Sequence, residues 1–216
     1  MKTLNVPFVA DLEKMNFQEL EIALETGGTK DIIGEIGWPD RFSYKPSCVF
    51  SIAHSDQAIA ILYHVRGLDL RAAALEDNGS VWEDSCCEFF VADPSGEKYY
   101  NFEMNCIGTV LNASGAGREN RLRRSPEEMK KIIRFSSLEH KQLEEADRIF
   151  EWQTAIIIPF EMIGADPENL PETLRANFYK CGDKTAHPHF LSWNPILTEK
   201  PDFHRPDFFG EIKLMK

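Results

Sequence analysis

A chain of 216 residues with a net charge of −11 has the length of one large β domain. Hydrophobic residues make up 43% and charged residues 27%, which is ordinary for a globular protein that buries a core. The acidic balance argues against a general affinity for nucleic acid or anionic membranes, because both attract basic surfaces. One basic run at Arg118–Arg124 interrupts this pattern, and its Gly and Ser neighbours predict a solvated loop.

No run of about 18 apolar residues occurs, so the sequence predicts no membrane-spanning helix. The N-terminus has one lysine and no continuous apolar core before its first acidic residues, which is unlike a secretory signal. The sequence therefore indicates a cytoplasmic location.

Cysteine usage agrees with a reducing compartment. The five cysteines are an odd number without CxxC spacing, which predicts neither a disulfide framework nor a zinc site. We expect buried, reduced thiols at Cys48, Cys86, Cys87, Cys106 and Cys181.

The N-terminal third begins ambiguously. Apolar residues in Leu12–Gly34 mix helical and strand periods, and we interpret the segment as a strand entry with loops. Cys48–His54 and Ile59–Arg66 are apolar runs separated by Ser-Asp-Gln, which predicts a hairpin.

Strand signals dominate the middle of the chain. Ser85–Ala92 and Tyr99–Cys106 flank an Asp-Pro-Ser-Gly turn, in which Pro presets φ and Gly accepts a positive φ. A short strand, Thr109–Ala113, follows a second turn. Ser125 then precedes Pro and two Glu, which predicts the start of a short helix reaching about Ile132.

The remaining elements are mostly strands. A short helical turn is predicted at Phe160–Ile163, and strands are predicted at Ile149–Ile158, Leu174–Lys180, Phe190–Trp193 and Phe209–Leu214. Many strands spaced by turns indicate an all-β, antiparallel β-sandwich of jelly-roll or immunoglobulin-like layers with one or two short helices. Residues 1–216 are interpreted as a single domain.

Alternation along three of these strands separates a core face from a polar face. The predicted core residues are Cys87, Phe89, Val91, Tyr100, Phe102, Met104, Leu174, Ala176 and Phe178. If the Glu88 and Glu103 strands pair as a hairpin, the opposite face carries Glu88, Asn101, Glu103, Asn105, Arg175 and Asn177. Such a face is either the ordinary solvated side of a sandwich or a polar binding surface.

Two tryptophans favour the binding surface. Trp82 and Trp193 both lie at strand ends beside turn residues, whereas Trp38 and Trp152 are interpreted as structural. Sugars present C–H faces that a Trp plane covers, and hydroxyl rims that carboxylate, amide and guanidinium groups bind.

Two consecutive segments, VWEDSCCEFFVADP at Val81–Pro94 and YYNFEMNCIGTVLNA at Tyr99–Ala113, resemble the family 9 carbohydrate-binding modules and their DOMON-like relatives. Further segments agree in the family's order, at Trp152–Phe160, Arg175–Cys181, Leu191–Pro195 and Pro201–Ile212. The resemblance extends from about Trp38 to the C-terminus.

The resemblance implies a non-catalytic β-sandwich that binds a sugar ring from the end of a glucan or xylan chain between two tryptophans. Trp82 resembles the first of these and Trp193 the second, and Glu88 stands where a ligand-binding carboxylate is expected. Asn105 takes the amide role, whereas Glu103 stands where the family can carry a basic residue. The family often has structural calcium, for which the candidate ligands are Asp56 and Asp93.

Two alternatives remain open at this stage. Glu88 and Glu103 could serve as the carboxyl pair of a glycoside hydrolase. Some DOMON-like sandwiches hold haem through Met and His, for which the candidates are Met104, His54, His64, His187, His189 and His204. The leading interpretation is sugar binding without turnover, which is compatible with service to a glycoside hydrolase.

Overall fold

The apolar runs form sixteen β-strands in the computed structural model, which describes residues 1–216. In chain order the strands are β1 Thr3–Val6, β2 Thr29–Ile32, β3 Glu35–Ile36, β4 Ser47–His54, β5 Ala58–Gly67, β6 Leu70–Ala72, β7 Cys86–Ala92, β8 Tyr99–Asn105, β9 Val110–Gly115, β10 Leu122–Arg123, β11 Ile133–Ser136, β12 Leu143–Glu145, β13 Phe150–Pro159, β14 Thr173–Cys181, β15 Phe190–Ser192 and β16 Gly210–Leu214. The two α-helices are α1 Phe17–Gly27 and α2 Pro126–Met129.

The strands form two main sheets. The larger sheet has the order β1-β16-β14-β7-β8-β9-β10, with β15 pairing to β14 and β3 to β15, and the smaller sheet has the order β11-β13-β5-β4-β2. Strands β6 and β12 form a separate pair. Every pairing within these sheets is antiparallel except that of β1 with β16. The fold is an all-β sandwich, as the sequence predicted.

The main core lies between the two sheets. All nine residues that the alternation assigned to the core belong to one cluster of 37 buried residues. Phe50 of the smaller sheet stacks on Phe178 of the larger sheet with ring centroids 4.1 Å apart. Trp152 also lies in this cluster, as expected of a structural tryptophan.

The segment interpreted as a strand entry is instead the helix α1. Asn16 accepts a hydrogen bond from the Glu19 N–H, and the Glu19 side chain accepts one from the Asn16 N–H, which completes a capping box. Leu20 and Leu24 are fully buried in a second cluster on the outer face of the smaller sheet. The spacing of Leu20 and Leu24 and the capping box both indicate a helix, but the mixed periodicity of the whole segment obscured them in the sequence.

The outer face of the larger sheet is also covered. Loop residues Trp38, Phe203 and Phe209 pack on Phe90 and Tyr179, which alternate with the core residues of β7 and β14. Because the cover is incomplete, three polar residues of this face, Glu88, Asn101 and Glu103, line a cavity instead of an open solvated surface.

The five cysteines are all buried and free, in agreement with the sequence prediction. None of the helices has the length and apolar character required to cross a bilayer.

Candidate functional site

A cavity of about 500 Å³ opens on the outer face of the larger sheet. Its lining combines aromatic, carboxyl and guanidinium side chains. The lining residues are Trp82, Glu88, Asn101, Glu103, Leu111, Ala113, Arg118, Arg121, Arg123, Cys181, Asp183, Phe190, Pro201, Asp202, Phe203 and His204.

The floor of the cavity carries two carboxyl groups side by side. Glu88 on β7 and Glu103 on β8 are direct cross-strand partners, and both are buried. The Cys181 thiol donates to Glu88 Oε1 at 3.0 Å, and the Asn101 amide donates to Glu103 Oε1 at 2.8 Å. Glu103 lines the cavity, and its Oε2 is buried without a hydrogen-bond partner, so this oxygen is an acceptor that no protein group satisfies.

Burial changes the protonation of these groups. Desolvation raises the pKa of Glu103 to about 7, although the Asn101 hydrogen bond and the Arg121 charge oppose the shift. Desolvation, together with the nearby Cys181 and Glu103, raises the pKa of Glu88 well above its ordinary value. Near neutral pH the floor therefore offers both a hydrogen-bond donor and acceptors to a ligand.

Trp82 reaches the cavity from the 3₁₀ turn Val81–Glu83, which precedes β7. The turn is fixed to the segment after β14, because the Asp183 N–H donates to the Trp82 carbonyl at 3.2 Å and the Lys184 N–H donates to the Glu83 carbonyl at 3.0 Å. Trp82 is only partly buried, so its ring remains available to a ligand.

A third carboxyl group lies beside this turn. Desolvation, with a smaller contribution from the Glu83 charge, raises the pKa of Asp183 to about 6. Asp183 lines the cavity, and it therefore adds to the hydrogen-bonding groups near Trp82.

Arg121 forms part of the wall next to the floor. Its Nε and Nη2 both donate to Asn101 Oδ1, at 3.0 and 2.7 Å, and its guanidinium lies 4.1 Å from the Tyr99 ring centroid. Asn101 in turn donates to Glu103, so Arg121 orients the amide that holds the floor carboxyl. The basic run was predicted to be a solvated loop, and this is wrong for Arg121, which folds back over the sheet.

A third side of the cavity is aromatic. Phe203 stacks on Tyr179 with centroids 4.2 Å apart and an interplanar angle of 9°. His204 Nδ1 hydrogen-bonds with the Tyr99 hydroxyl at 2.9 Å. Burial, followed by the charges of Arg121 and Arg118, lowers the pKa of His204 to about 3.

Trp193 does not reach the cavity, and its predicted stacking role is wrong. It is 0% exposed, packs edge-on against Phe178 with centroids 5.5 Å apart, and donates its indole N–H to Asp31 at 2.7 Å. Gly210 makes room for it, because a Cβ there would lie 2.5 Å from the Trp193 ring. The side chain points into the sandwich, so a sugar cannot contact it.

Three other predicted site residues also lie outside the cavity lining. Asn105 is buried and donates to the Ala74 carbonyl and to Asp84, and Asn177 is buried and holds Asn194 through both its amide atoms. Arg175 donates to the Phe209 carbonyl at the far end of β14. All three residues lie on the outer face of the larger sheet, as predicted, but their side chains hydrogen-bond to neighbouring loops instead of lining the cavity. Trp82, Glu88 and Glu103 are brought together.

Several cavity residues were not among the predicted ligands. Arg121, Asp183, Phe190 and Phe203 come from loops or from β15, whose positions depend on contacts distant in sequence. Asn101 and Cys181 were recognisable, since strand alternation places both on the face of Glu88.

The residues named for calcium do not fit an oxygen-rich site. Ca²⁺ takes six to eight oxygen ligands, usually with several carboxylates. Neither Asp56 nor Asp93 belongs to a group of three or more His, Cys, Asp or Glu ligand atoms. Asp93 instead accepts hydrogen bonds from Ser95 and from the Lys98 N–H within its own turn.

The haem alternative gains no support from the geometry. Met104 is packed in the main core, 1% exposed. Each candidate histidine already uses a ring nitrogen in a contact with a protein group, namely Met215 for His54, Gln153 for His64, Asp69 for His187, Lys180 for His189 and Tyr99 for His204.

The sandwich is shared with solved structures of sugar-binding modules. A protein from Bacteroides uniformis ATCC 8492, assigned as carbohydrate-binding, is 38% identical over 99% of both chains with a TM-score of 0.92. A family 9 module from Caldicellulosiruptor kristjanssonii in complex with cellotriose is 13% identical, with a TM-score of 0.63 over 99% of this chain and 93% of its own. A module of that family from the same organism in complex with glucose is 14% identical, with a TM-score of 0.59 over 99% and 96%. At this identity the two modules establish the fold alone.

The model of carbohydrate-binding family 9 matches residues 18–214. The chain therefore belongs to carbohydrate-binding family 9. A comparison with curated proteins gave no match.

Proposed function

We propose that the cavity on the larger sheet binds the end of a glucan- or xylan-derived oligosaccharide without breaking it. The observation that carries the proposal is the combination of a partly exposed Trp82 with the paired carboxyls of Glu88 and Glu103 in one cavity of about 500 Å³. This volume falls within the range of about 300–1,000 Å³ that is typical of small-molecule sites.

The side chains match the two chemical surfaces of a pyranose ring. Trp82 would cover the C–H face, and the aromatic residues Phe190 and Phe203 replace Trp193 as the further apolar lining. The Glu88 and Glu103 carboxyls would bind hydroxyl groups as donors or acceptors according to their protonation, and the lining arginines would donate to them. These arginines are Arg118, Arg121 and Arg123.

The family and its solved members support sugar as the ligand class. The two Caldicellulosiruptor structures were solved with cellotriose and with glucose, and glucose is the unit from which cellotriose is built. Cellotriose is therefore the first ligand to test, with xylotriose beside it.

Hydrolysis by Glu88 and Glu103 is the alternative. A glycoside hydrolase places its two carboxyl groups on either side of the scissile bond. Glu88 and Glu103 instead stand next to each other on adjacent strands of one floor, so both face the same side of a ligand. Binding without turnover is the better match.

Isothermal titration calorimetry with cellotriose, xylotriose and glucose tests the proposal. Trp82→Ala should lower the affinity by about 5- to 150-fold, since an aromatic stacking contact contributes about 1–3 kcal/mol. Glu88→Gln should weaken binding less, because it retains the shape of the side chain. Trp193→Phe is the matched control and should retain the affinity of the folded protein, since Trp193 lies outside the cavity.

Two results would contradict the proposal. The first is unchanged affinity in Trp82→Ala together with a loss of affinity in a folded Trp193→Phe variant. The second is the release of shorter sugars during prolonged incubation, abolished by Glu88→Gln, which would favour the hydrolase.

A further inference from the structure

We propose that Cys86, Glu88 and Cys181 form a binding site for a thiophilic divalent cation of the zinc class. One ligand atom from each residue, two Sγ and a carboxylate oxygen, lies within 4.8 Å of the other two. No other group of three or more His, Cys, Asp or Glu ligand atoms in residues 1–216 meets this distance. The inference goes beyond the proposed sugar binding and does not depend on it.

The sheet register creates this cluster. Cys86 on β7 and Cys181 on β14 are direct cross-strand partners, and Glu88 follows Cys86 by two residues on the same face of β7. The Cys181 thiol already donates to Glu88 Oε1 at 3.0 Å. Binding of the cation would release the thiol protons of Cys86 and Cys181 to solvent, together with the proton of Glu88 where that carboxyl is protonated, and the ion would then hold Cys181 and Glu88 together in place of this hydrogen bond.

The donor set and its spacing suit Zn²⁺. Zinc is bound by thiolate and carboxylate groups in tetrahedral geometry, and its bond lengths put the ligand atoms about 3.5–3.8 Å apart. From a spacing within 4.8 Å, the side chains would need to move inward by roughly 1 Å at most, which a small χ adjustment provides.

The cluster is reached from the cavity. Glu88 and Cys181 line the cavity, whereas Cys86, their neighbour on the same face of the sheet, is 0% exposed and does not line it. Three protein ligands would leave a fourth coordination position toward the cavity, where water or a ligand hydroxyl could bind. The unpartnered Glu103 Oε2, buried on the neighbouring strand, is a further acceptor for such a group.

A second pair of buried thiols in the same chain serves as a control for the proposed site. Cys87 is the next residue of β7 and points to the opposite face, where its Sγ lies 3.9 Å from Cys48 Sγ inside the main core. This second thiol pair has no carboxylate in contact and no access to the cavity. Cys106 is a fifth buried thiol.

The test uses the reduced full-length chain, Cd²⁺ as a spectroscopic probe and Zn²⁺ as its competitor. Cd²⁺ should produce ultraviolet thiolate charge-transfer absorption that saturates at one ion per chain and is reversed by Zn²⁺. Cys86→Ala and Cys181→Ala should each abolish it, whereas Cys87→Ala and Cys106→Ala should retain it. Circular dichroism and thermal melts establish that each variant is folded.

Glu88→Gln is a second test that retains all five thiols. The affinity of this variant for Cd²⁺ should be about tenfold lower than that of the unmodified protein. The proposal is overturned if Cys86→Ala and Cys181→Ala keep the absorption, if Cys87→Ala loses it, or if Glu88→Gln has no effect. Loss in Cys87→Ala would assign the ion to the core thiol pair. Cellotriose binding by Cys86→Ala separates the two proposals, because Cys86 does not line the cavity and its substitution should leave sugar binding unchanged.

Discussion

Arg121 organises the wall of the cavity through hydrogen bonds to neutral acceptors. Besides Asn101, its donors reach the backbone carbonyls of Gly117, Tyr99 and Ala113. A guanidinium has a rigid planar fork that a lysine ammonium cannot reproduce. The orientation of the Asn101 amide, and through it that of Glu103, therefore depends on this side chain.

Arg121→Lys should lower the affinity for cellotriose about tenfold, equivalent to about 1.4 kcal/mol, because the floor carboxyl loses its fixed position. Calorimetry measures the effect. Arg66→Lys is the matched control, since Arg66 pairs with Glu151 on the smaller sheet, outside the cavity. Equal affinities in Arg121→Lys and the unmodified protein would show that the Arg121–Asn101 pair does not position the site.

His204 makes the free energy of unfolding dependent on pH. Its pKa is lowered to about 3 in the folded state from an ordinary 6.5, so between these values the unfolded chain binds more protons. This contribution is complete above pH 6.5 and is lost as the pH falls toward 3. Each pKa unit corresponds to about 1.4 kcal/mol.

His204→Gln should therefore reduce the loss of unfolding free energy on the acid side, measured by urea denaturation between about pH 4 and pH 7. His187 gives the opposite sign, because its hydrogen bond to Asp69 raises its pKa and stabilises the protein at low pH. His187→Gln should thus steepen the loss of stability on the acid side. Parallel profiles for the two variants would contradict both assignments.

At the scale of elements, helix α1 covers the outer face of the smaller sheet, while the cavity lies on the larger one. Asn16 and Glu19 satisfy the first backbone donors of the helix through the capping box. The residues that α1 buries, Leu20 and Leu24, contact a cluster that contains no cavity residue.

Asn16→Ala should lower the free energy of unfolding by about 1 kcal/mol, the usual cost of losing an N-cap. Urea denaturation measures this loss, and cellotriose affinity should stay the same. Gln18→Ala, at the exposed second position of the helix, is the control and should have little effect. A loss of sugar affinity in Asn16→Ala would show that the two faces of the sandwich are coupled.

At the scale of the whole molecule, Trp193 ties the two sheets together. It follows β15 of the larger sheet and donates its indole N–H to Asp31 on β2 of the smaller sheet. Its ring fills the space that Gly210 leaves open beside Phe178. The residue that the sequence assigned to the ligand therefore stabilises the sandwich.

Trp193→Phe should lower the free energy of unfolding by about 1–3 kcal/mol, since it leaves a small cavity and removes a hydrogen bond to a carboxylate. Thermal and urea denaturation measure the loss. Asp31→Asn, which keeps an acceptor for the indole, should cost less. A Trp193→Phe variant as stable as the unmodified protein would contradict the packing role.

The sequence by itself determined the sandwich class and the core faces of β7, β8 and β14, and it predicted that Glu88 and Glu103 share a face if their strands pair. Strand alternation is a local property, so it assigns Glu88 and Glu103 to the side opposite the core residues of their own strands, whereas the pairing of β7 with β8 makes them direct neighbours. The capping box at Asn16 is also a local pattern, and only the mixed periodicity of Leu12–Gly34 prevented its recognition in the sequence.

Only the tertiary structure decided which aromatic residues line the cavity. Trp82 and Trp193 have the same local signature, a tryptophan at a strand end beside a turn. One ring is held over the outer face by backbone bonds to the segment after β14, and the other is directed inward to Asp31 on the opposite sheet. Arg121 likewise reaches the site because its loop folds back over Tyr99. These positions depend on partners distant in sequence, and no periodicity within a single segment encodes them.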